Sequence, residues 1–183
     1  SIANCTSNEY GGAIAAYGAS RVSLTSARIE GNSSNAGGGI GAANVTLDID
    51  RSIFLGNSAT MFSGGGIELF QATATITSSA IGGCDALDVG GGIAMFATNV
   101  NIANSILHGN SSGAPGAQST QDQQLTVFTG AVFANRSCIA GLTGSLGGTG
   151  NFASNPALLD PASGDFRISP SSPCIDRGSN ALA

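Results

Sequence analysis

Gly90-Gly91-Gly92-Ile93 through Gly109-Asn110 forms one unit of a larger pattern. It reads as a glycine turn, an apolar alternation (Ile93, Met95, then Val100, Ile102), a Ser105-Ile106-Leu107 segment and a Gly-Asn turn. The same succession occurs three times upstream. Its isoleucines are Ile14, Ile40, Ile67 and Ile93, so the steps are 26, 27 and 26 residues. The turn residues Asn32, Asn57 and Asn110 share that register, with Cys84 where a further asparagine is due. A constant period of this size is the mark of a repeat architecture.

Within each unit the apolar residues alternate with a period of two: Val22 and Leu24, Leu47 and Ile49, Ala74 and Ile76, Val100 and Ile102. Period two sends these side chains inward and the polar residues between them outward. No unit holds an 11-residue helical pattern. The expected fold is therefore all-β: a parallel β-helix, or solenoid, of about five coils of ~26 residues, each with three short strands joined by turns. Gly31, Gly56, Gly83 and Gly109 suit structural turns, corners with positive φ. Asn32, Asn57 and Asn110, which follow three of them, would stack as an amide ladder, interrupted at Cys84.

Downstream, residues 111–124 are rich in Ser, Gly, Gln and Pro and read as a loop insertion. Leu125 then takes the place of Ile93 at a step of 32, and Ser137-Cys138-Ile139 that of Ser105-Ile106-Leu107. The insertion is either a tolerated surface loop or part of a binding face. The coils thus occupy 1–141. Residues 142–183 leave the repeat and form a C-terminal cap segment, whose Phe166, Ile168 and Ile175 are expected to cover the open apolar end of the last coil.

The Gly11-Gly12-Ala13-Ile14 turn and the Ile53-Phe54-Leu55-Gly56-Asn57-Ser58-Ala59 stretch resemble the GGAI/FxxN repeats of polymorphic outer-membrane proteins and the wider set of bacterial right-handed parallel β-helix repeats. The C-terminal stretches Asn155-Pro156-Ala157-Leu158-Leu159-Asp160-Pro161, Gly164-Asp165-Phe166-Arg167-Ile168 and Ser172-Pro173-Cys174-Ile175-Asp176-Arg177-Gly178 resemble the signature of secreted β-helix proteins of the choice-of-anchor Q kind. The resemblance implies a right-handed coil and a secreted or surface protein. It implies no activity.

The net charge is −5 and all 6 basic residues are arginines, which argues against nucleic acid and anionic membrane as partners. No apolar run approaches the roughly 18 residues of a membrane helix. One histidine and no CxxC pair argue against a metal site, and no cofactor motif is present. Of the 4 cysteines, Cys138 on the last coil and Cys174 on the cap segment are read as a disulfide pair. Cys5 and Cys84, three coils apart, are read as buried thiols. An even cysteine count and sparse charge fit an extracellular or cell-surface location.

Asp48 and Asp50 share an outward strand face with Arg51 beside them, the arrangement a glycan-binding or glycan-cleaving face would need. The equivalent positions in the next coils are Thr75, Thr77, Asn101 and Ala103, so the cluster does not extend. Asp85 and Asp88 form a second acidic pair in a turn. Two functions fit. One is a non-enzymatic surface module for adhesion, as a stalk, or as a subunit that stacks head to tail on itself, since Ser1 falls in mid-coil. The other is a polysaccharide-binding, lyase or hydrolase domain.

Overall fold

The computed structural model describes residues 1–18, 20–113 and 120–182. The chain is a parallel β-solenoid in which each coil has four sides rather than three. Face 1 carries Ile14–Tyr17, Ile40–Ala43, Ile67–Phe70, Ile93–Phe96 and Leu125–Val127. Face 2 carries Arg21–Thr25, Thr46–Asp50, Thr73–Thr77, Thr98–Ala103 and Gly130–Asn135. Face 3 carries Ile2–Ala3, Arg28–Glu30, Ile53–Leu55, Ala80–Gly82, Ile106–His108 and Cys138–Ile139. Face 4 carries only two-residue strands, Ser33–Ser34, Ser58–Ala59, Asp85–Ala86 and Ser111–Ser112. The last of these strands lies inside the stretch read as an irregular insertion. Among the described residues face 4 has no strand after Ser111–Ser112, so the fifth coil is incomplete and the solenoid has about four full turns.

The register is the one the spacing predicts. Ile14 pairs with Ile40, Ile40 with Ile67, Ile67 with Ile93 and Ile93 with Leu125. Ile106 pairs with Cys138 and Ile2 with Ile29. Identical inward positions therefore lie one above another. On face 3, Ile29, Phe54, Ile81, Leu107 and Ile139 form one fully buried pile. Leu47, Ala74 and Val100 form another on face 2, beside Ile49, Ile76 and Ile102. Each large aliphatic in such a pile contributes about 1.5–3 kcal/mol of burial.

One residue per corner adopts the left-handed backbone region, and this bends the chain between faces. In the second coil these are Gly37, Asn44, Arg51 and Gly56; in the third, Gly64, Gln71, Ser78 and Gly83. Only the corner into face 4 and the one leaving it use glycine throughout these coils. The other two tolerate side chains there at a modest conformational cost. At the corner into face 4, Gly31, Gly56, Gly83 and Gly109 have φ of 62°, 57°, 61° and 74°. Gly31 differs from the others in its surroundings. A Cβ there would lie 2.6 Å from the side-chain oxygen of Asn4, whereas at Gly56, Gly83 and Gly109 nothing comes closer than 3.6 Å.

The C-terminal segment divides its work differently from the expected cap. Residues 142–152 cover the last coil: the N–H groups of Ala134, Arg136 and Ile139 donate to the carbonyls of Leu146, Thr149 and Phe152, and Leu142 and Leu146 pack against the core. Phe166 does not lie over that end. The remaining chain runs back along the outside of face 3 as a strap. Leu158–Asp160 and Asp165–Ile168 pair antiparallel within it, and buried Phe166 sits on Gly82, where a Cβ would come within 2.5 Å of its ring. Ile168 and Ile175 stay exposed. The strap is fastened at three further points. Arg28 donates to the Gly164 carbonyl from both terminal nitrogens at 3.2 Å. Asn104 and Ser179 exchange two hydrogen bonds of 2.9 Å. Arg177 lies over the Phe152 ring at 5.6 Å.

Candidate functional site

The turn asparagines build an internal ladder. Asn32 Nδ2 donates to Asn57 Oδ1 at 3.0 Å, and each amide also donates down to a backbone carbonyl, Asn57 to Ile29 and Asn110 to Ile81. The ladder does not stop at Cys84. Asn57 Nδ2 reaches the Cys84 Sγ at 3.8 Å, and the Cys84 N–H donates to Asn110 Oδ1 at 3.0 Å. Burial pushes the Cys84 thiol up to about 11. Gln124, at the end of the five-residue helix Thr120–Gln124, supplies the final rung by accepting from Asn110 Nδ2 at 2.8 Å. Sequence reasoning places Gln124 in the loop, and residues 114–119 of that loop lie outside the described residues. A second ladder is absent from that reasoning. Ala27, Ser52, Ser79 and Ser105 donate their N–H groups to the hydroxyls of Ser52, Ser79, Ser105 and Ser137. Its signal is a serine recurring at the coil step. Cys84→Asn should replace a weak sulfur rung with an amide one and stabilise the fold by about 1 kcal/mol. A lowered urea midpoint would contradict the ladder.

The glycines of the same corners, Gly31, Gly56, Gly83 and Gly109, lie at the surface beside these buried rungs. Their part is to turn the chain so that the next residue points inward. The N–H of Gly31 donates to the Leu55 carbonyl at 2.9 Å and that of Gly56 to the Gly82 carbonyl at 3.2 Å, which ties each corner to the coil above.

Cys138 and Cys174 are not bonded: both are free thiols. They are neighbours, and burial followed by the Cys174 thiol pushes Cys138 up to about 12. The Cys138 thiol donates to the Ser154 carbonyl at 3.0 Å. Cys5 is exposed, against the expectation of a buried thiol.

Asp48, Asp50 and Arg51 do meet on the outside of face 2, but their charges are spent locally. Arg21 pairs with Asp48 at 2.6 Å, and Arg51 pairs with Asp50 at 2.9 Å. Asp50 also accepts from Thr77 at 3.1 Å. Arg51 occupies a left-handed corner, φ 46°. Asp85 accepts from the Ser111 hydroxyl at 2.8 Å. Burial holds His108, half-buried at the end of its strand, below its usual value.

The outer surface of face 1 is different. Tyr17, Phe70, Phe96 and Phe128 follow one another along it in coil register, with Ala43 between Tyr17 and Phe70. Phe96 and Phe128 are stacked, centroids 4.3 Å apart and 11° from parallel. Phe70 and Phe96 lie 6.5 Å apart at 38°, and Tyr10 meets Tyr17 edge-on at 6.5 Å. Tyr10, Tyr17, Phe70 and Phe128 are about half exposed, at 47%, 56%, 48% and 50%. Where the row is interrupted a cleft of about 380 Å³ opens, lined by Tyr10, Tyr17, Gly41, Ala43, Glu68 and Phe70.

No family model matches this chain, and no curated protein or solved structure does either.

Glu68 gives the cleft its chemistry. It projects outward two residues before Phe70, and its partners in the adjacent coils are Gly41 and Ala94, which cannot pair with a carboxylate. Burial pushes it up to about 7. Among the described residues it has no ion-pair partner. Tyr17 is pushed up as well, by burial first and then by Tyr10, Glu9 and Glu68. A half-buried acid with no cation of its own, between aromatic walls, makes this cleft the candidate ligand site. Reading the inward aliphatics alone passes over these outward rings. Yet Ala43, Phe70, Phe96 and Phe128 recur at the coil step and are visible in the sequence.

Proposed function

We propose that this chain is a non-enzymatic, extracellular or cell-surface β-solenoid module that binds a polysaccharide along face 1. The carrying observation is the row of half-exposed aromatics with a cleft in it. Sugar rings present apolar C–H faces that pack on aromatic rings, while their hydroxyls need nearby polar groups. A repeat lattice supplies both at fixed spacing along a rod, matching a repeating polymer. The acids of face 2 are tied to Arg21 and Arg51 and support a strand surface rather than an acid–base pair. In an oxidising compartment the neighbouring Cys138 and Cys174 thiols are the pair placed to join. Head-to-tail self-stacking has less support, because the strand N–H groups of Ala134, Arg136 and Ile139 are already bonded to the covering segment.

A glycan array followed by calorimetry tests the reading. A polysaccharide ligand should be found, and Phe70→Ala should weaken it about tenfold, the loss expected for one aromatic contact. Acidic glycans should yield no unsaturated product. Product formation that disappears in Asp50→Asn would replace this reading with a lyase.

A further inference from the structure

The interruption in the aromatic row has a definite size. Coils are spaced about 4.8 Å apart in the hydrogen-bonding direction. Tyr17 and Phe70 stand on the first and third coils, with Ala43 on the second. The strand positions that carry them are therefore about 9.6 Å apart, two such spacings. That separation and the cleft leave room for one ring of ordinary thickness, of the kind Phe128 supplies 4.3 Å from Phe96 farther along the row. The cleft is a ladder with one rung missing. Its floor is the strand at Gly41–Ala43, whose side chains are too small to fill it. Beside the gap stands Glu68, desolvated and without a counter-charge.

Resting on the glycan-binding reading, we propose that this slot takes a single sugar ring bearing an ammonium group, an amino sugar of the bound polysaccharide. The ring replaces the missing rung between Tyr17 and Phe70, and its cationic nitrogen pairs with Glu68. Charge complementarity selects this occupant: a neutral sugar would leave the carboxylate buried and unpaired, whereas an ammonium group offsets its desolvation and also gains from the electron-rich faces of Tyr10, Tyr17 and Phe70. The slot thus discriminates amino from N-acetylated or plain hydroxylated sugars.

The other titratable groups around the slot are Tyr10, Tyr17 and Glu9. Tyr17 is pushed further above its ordinary value and stays neutral near pH 7. Glu68, raised to about 7, must lose its proton to bind a cation. Affinity for a ligand of fixed positive charge should therefore rise with pH.

Calorimetry at pH 7 with glucosamine, N-acetylglucosamine and cellulose-derived oligomers of equal length tests the proposal. The glucosamine oligomer should bind at least tenfold more tightly than either neutral one. Glu68→Gln should abolish that preference. Ala43→Phe should complete the aromatic row, keep or raise the melting temperature, and abolish binding of all three. With oligomers of N-trimethylated glucosamine, whose charge does not titrate, affinity should rise about tenfold from pH 6 to pH 8 in the native chain and stay flat in Glu68→Gln. Equal affinity for amino and neutral sugars, or a pH profile unchanged by Glu68→Gln, overturns the ammonium contact and leaves the glycan reading standing. A folded Ala43→Phe that binds as the native chain does overturns the slot. Binding of no saccharide at all overturns both readings.

Discussion

Gly91→Ala should destabilise the fold by more than about 4 kcal/mol and leave little folded protein at 37 °C. A methyl carbon there would lie 1.9 Å from the Ser111 carbonyl oxygen, 2.6 Å from its carbon and 2.7 Å from its nitrogen. These are backbone atoms of the next coil, and Ser111 is itself tied down, its N–H donating to the Cys84 carbonyl. Relief requires two coils to separate, which breaks the ladder of face 4. Gly56→Ala is the informative comparison. Gly56 has φ 57° but nothing within 4 Å of a built Cβ. Its replacement should cost only about 1 kcal/mol, the penalty of a left-handed residue. Urea midpoints of the two variants measure the contrast. Similar losses would show that close coil approach is not what the triple-glycine turns provide.

Asn57→Ala should cost about 3–5 kcal/mol, read from the same urea transitions. Asn57 is fully buried, and its Oδ1 accepts from both the backbone N–H and the Nδ2 of Asn32 at 3.0 Å, while its Nδ2 donates to the Ile29 carbonyl at 2.9 Å. Truncation strands these partners in a dry interior, at about 1–3 kcal/mol per unpaired group, and leaves a small void besides. Asn35, whose amide bonds Asn8 nearer the surface, should tolerate the same change with a loss below about 1 kcal/mol, because water can replace the lost partner. A loss below about 1 kcal/mol for Asn57→Ala would mean the interior asparagines are not needed to hold the turns together.

The register of this solenoid was legible because stacking in a parallel sheet copies the sequence period directly: a step of 26, 27 or 32 residues must place Ile14, Ile40, Ile67, Ile93 and Leu125 in one pile. The corners at Gly31, Gly56, Gly83 and Gly109 were legible for the same reason, each a glycine one step before a ladder position. The fourth side was not legible, since strands as short as Ser33–Ser34 or Asp85–Ala86 carry no alternation that separates them from a turn. Gln124 escaped notice for a related reason. It reaches the amide ladder through an insertion, only 14 residues after Asn110, so no period points to it. The direction of the C-terminal segment was invisible because Phe166 looks the same in sequence whether it plugs an end or lies on a side. What decides between them is Gly82, whose missing Cβ makes room for the ring. At the surface, Asp48 and Asp50 attracted attention as acids at i and i+2. Arg51, next in sequence, pairs with Asp50, but the neutralisation of Asp48 depends on Arg21, which sits in the preceding coil and becomes a neighbour only when the coils stack. Glu68 is not singled out by its own stretch of sequence, because its burial arises only when the coils stack around it.

The strap on face 3 alters how the array behaves as a whole. In a simple stack each coil touches only its neighbours, so coils can peel away one after another from an end. Here one stretch of chain touches Arg28 in the first coil, Gly82 in the third, Asn104 in the fourth and the Cys138 region of the fifth. It acts as a lengthwise brace, so unwinding an extremity means also lifting the strap from the coil it is fastened to, which couples the ends of the array to its middle.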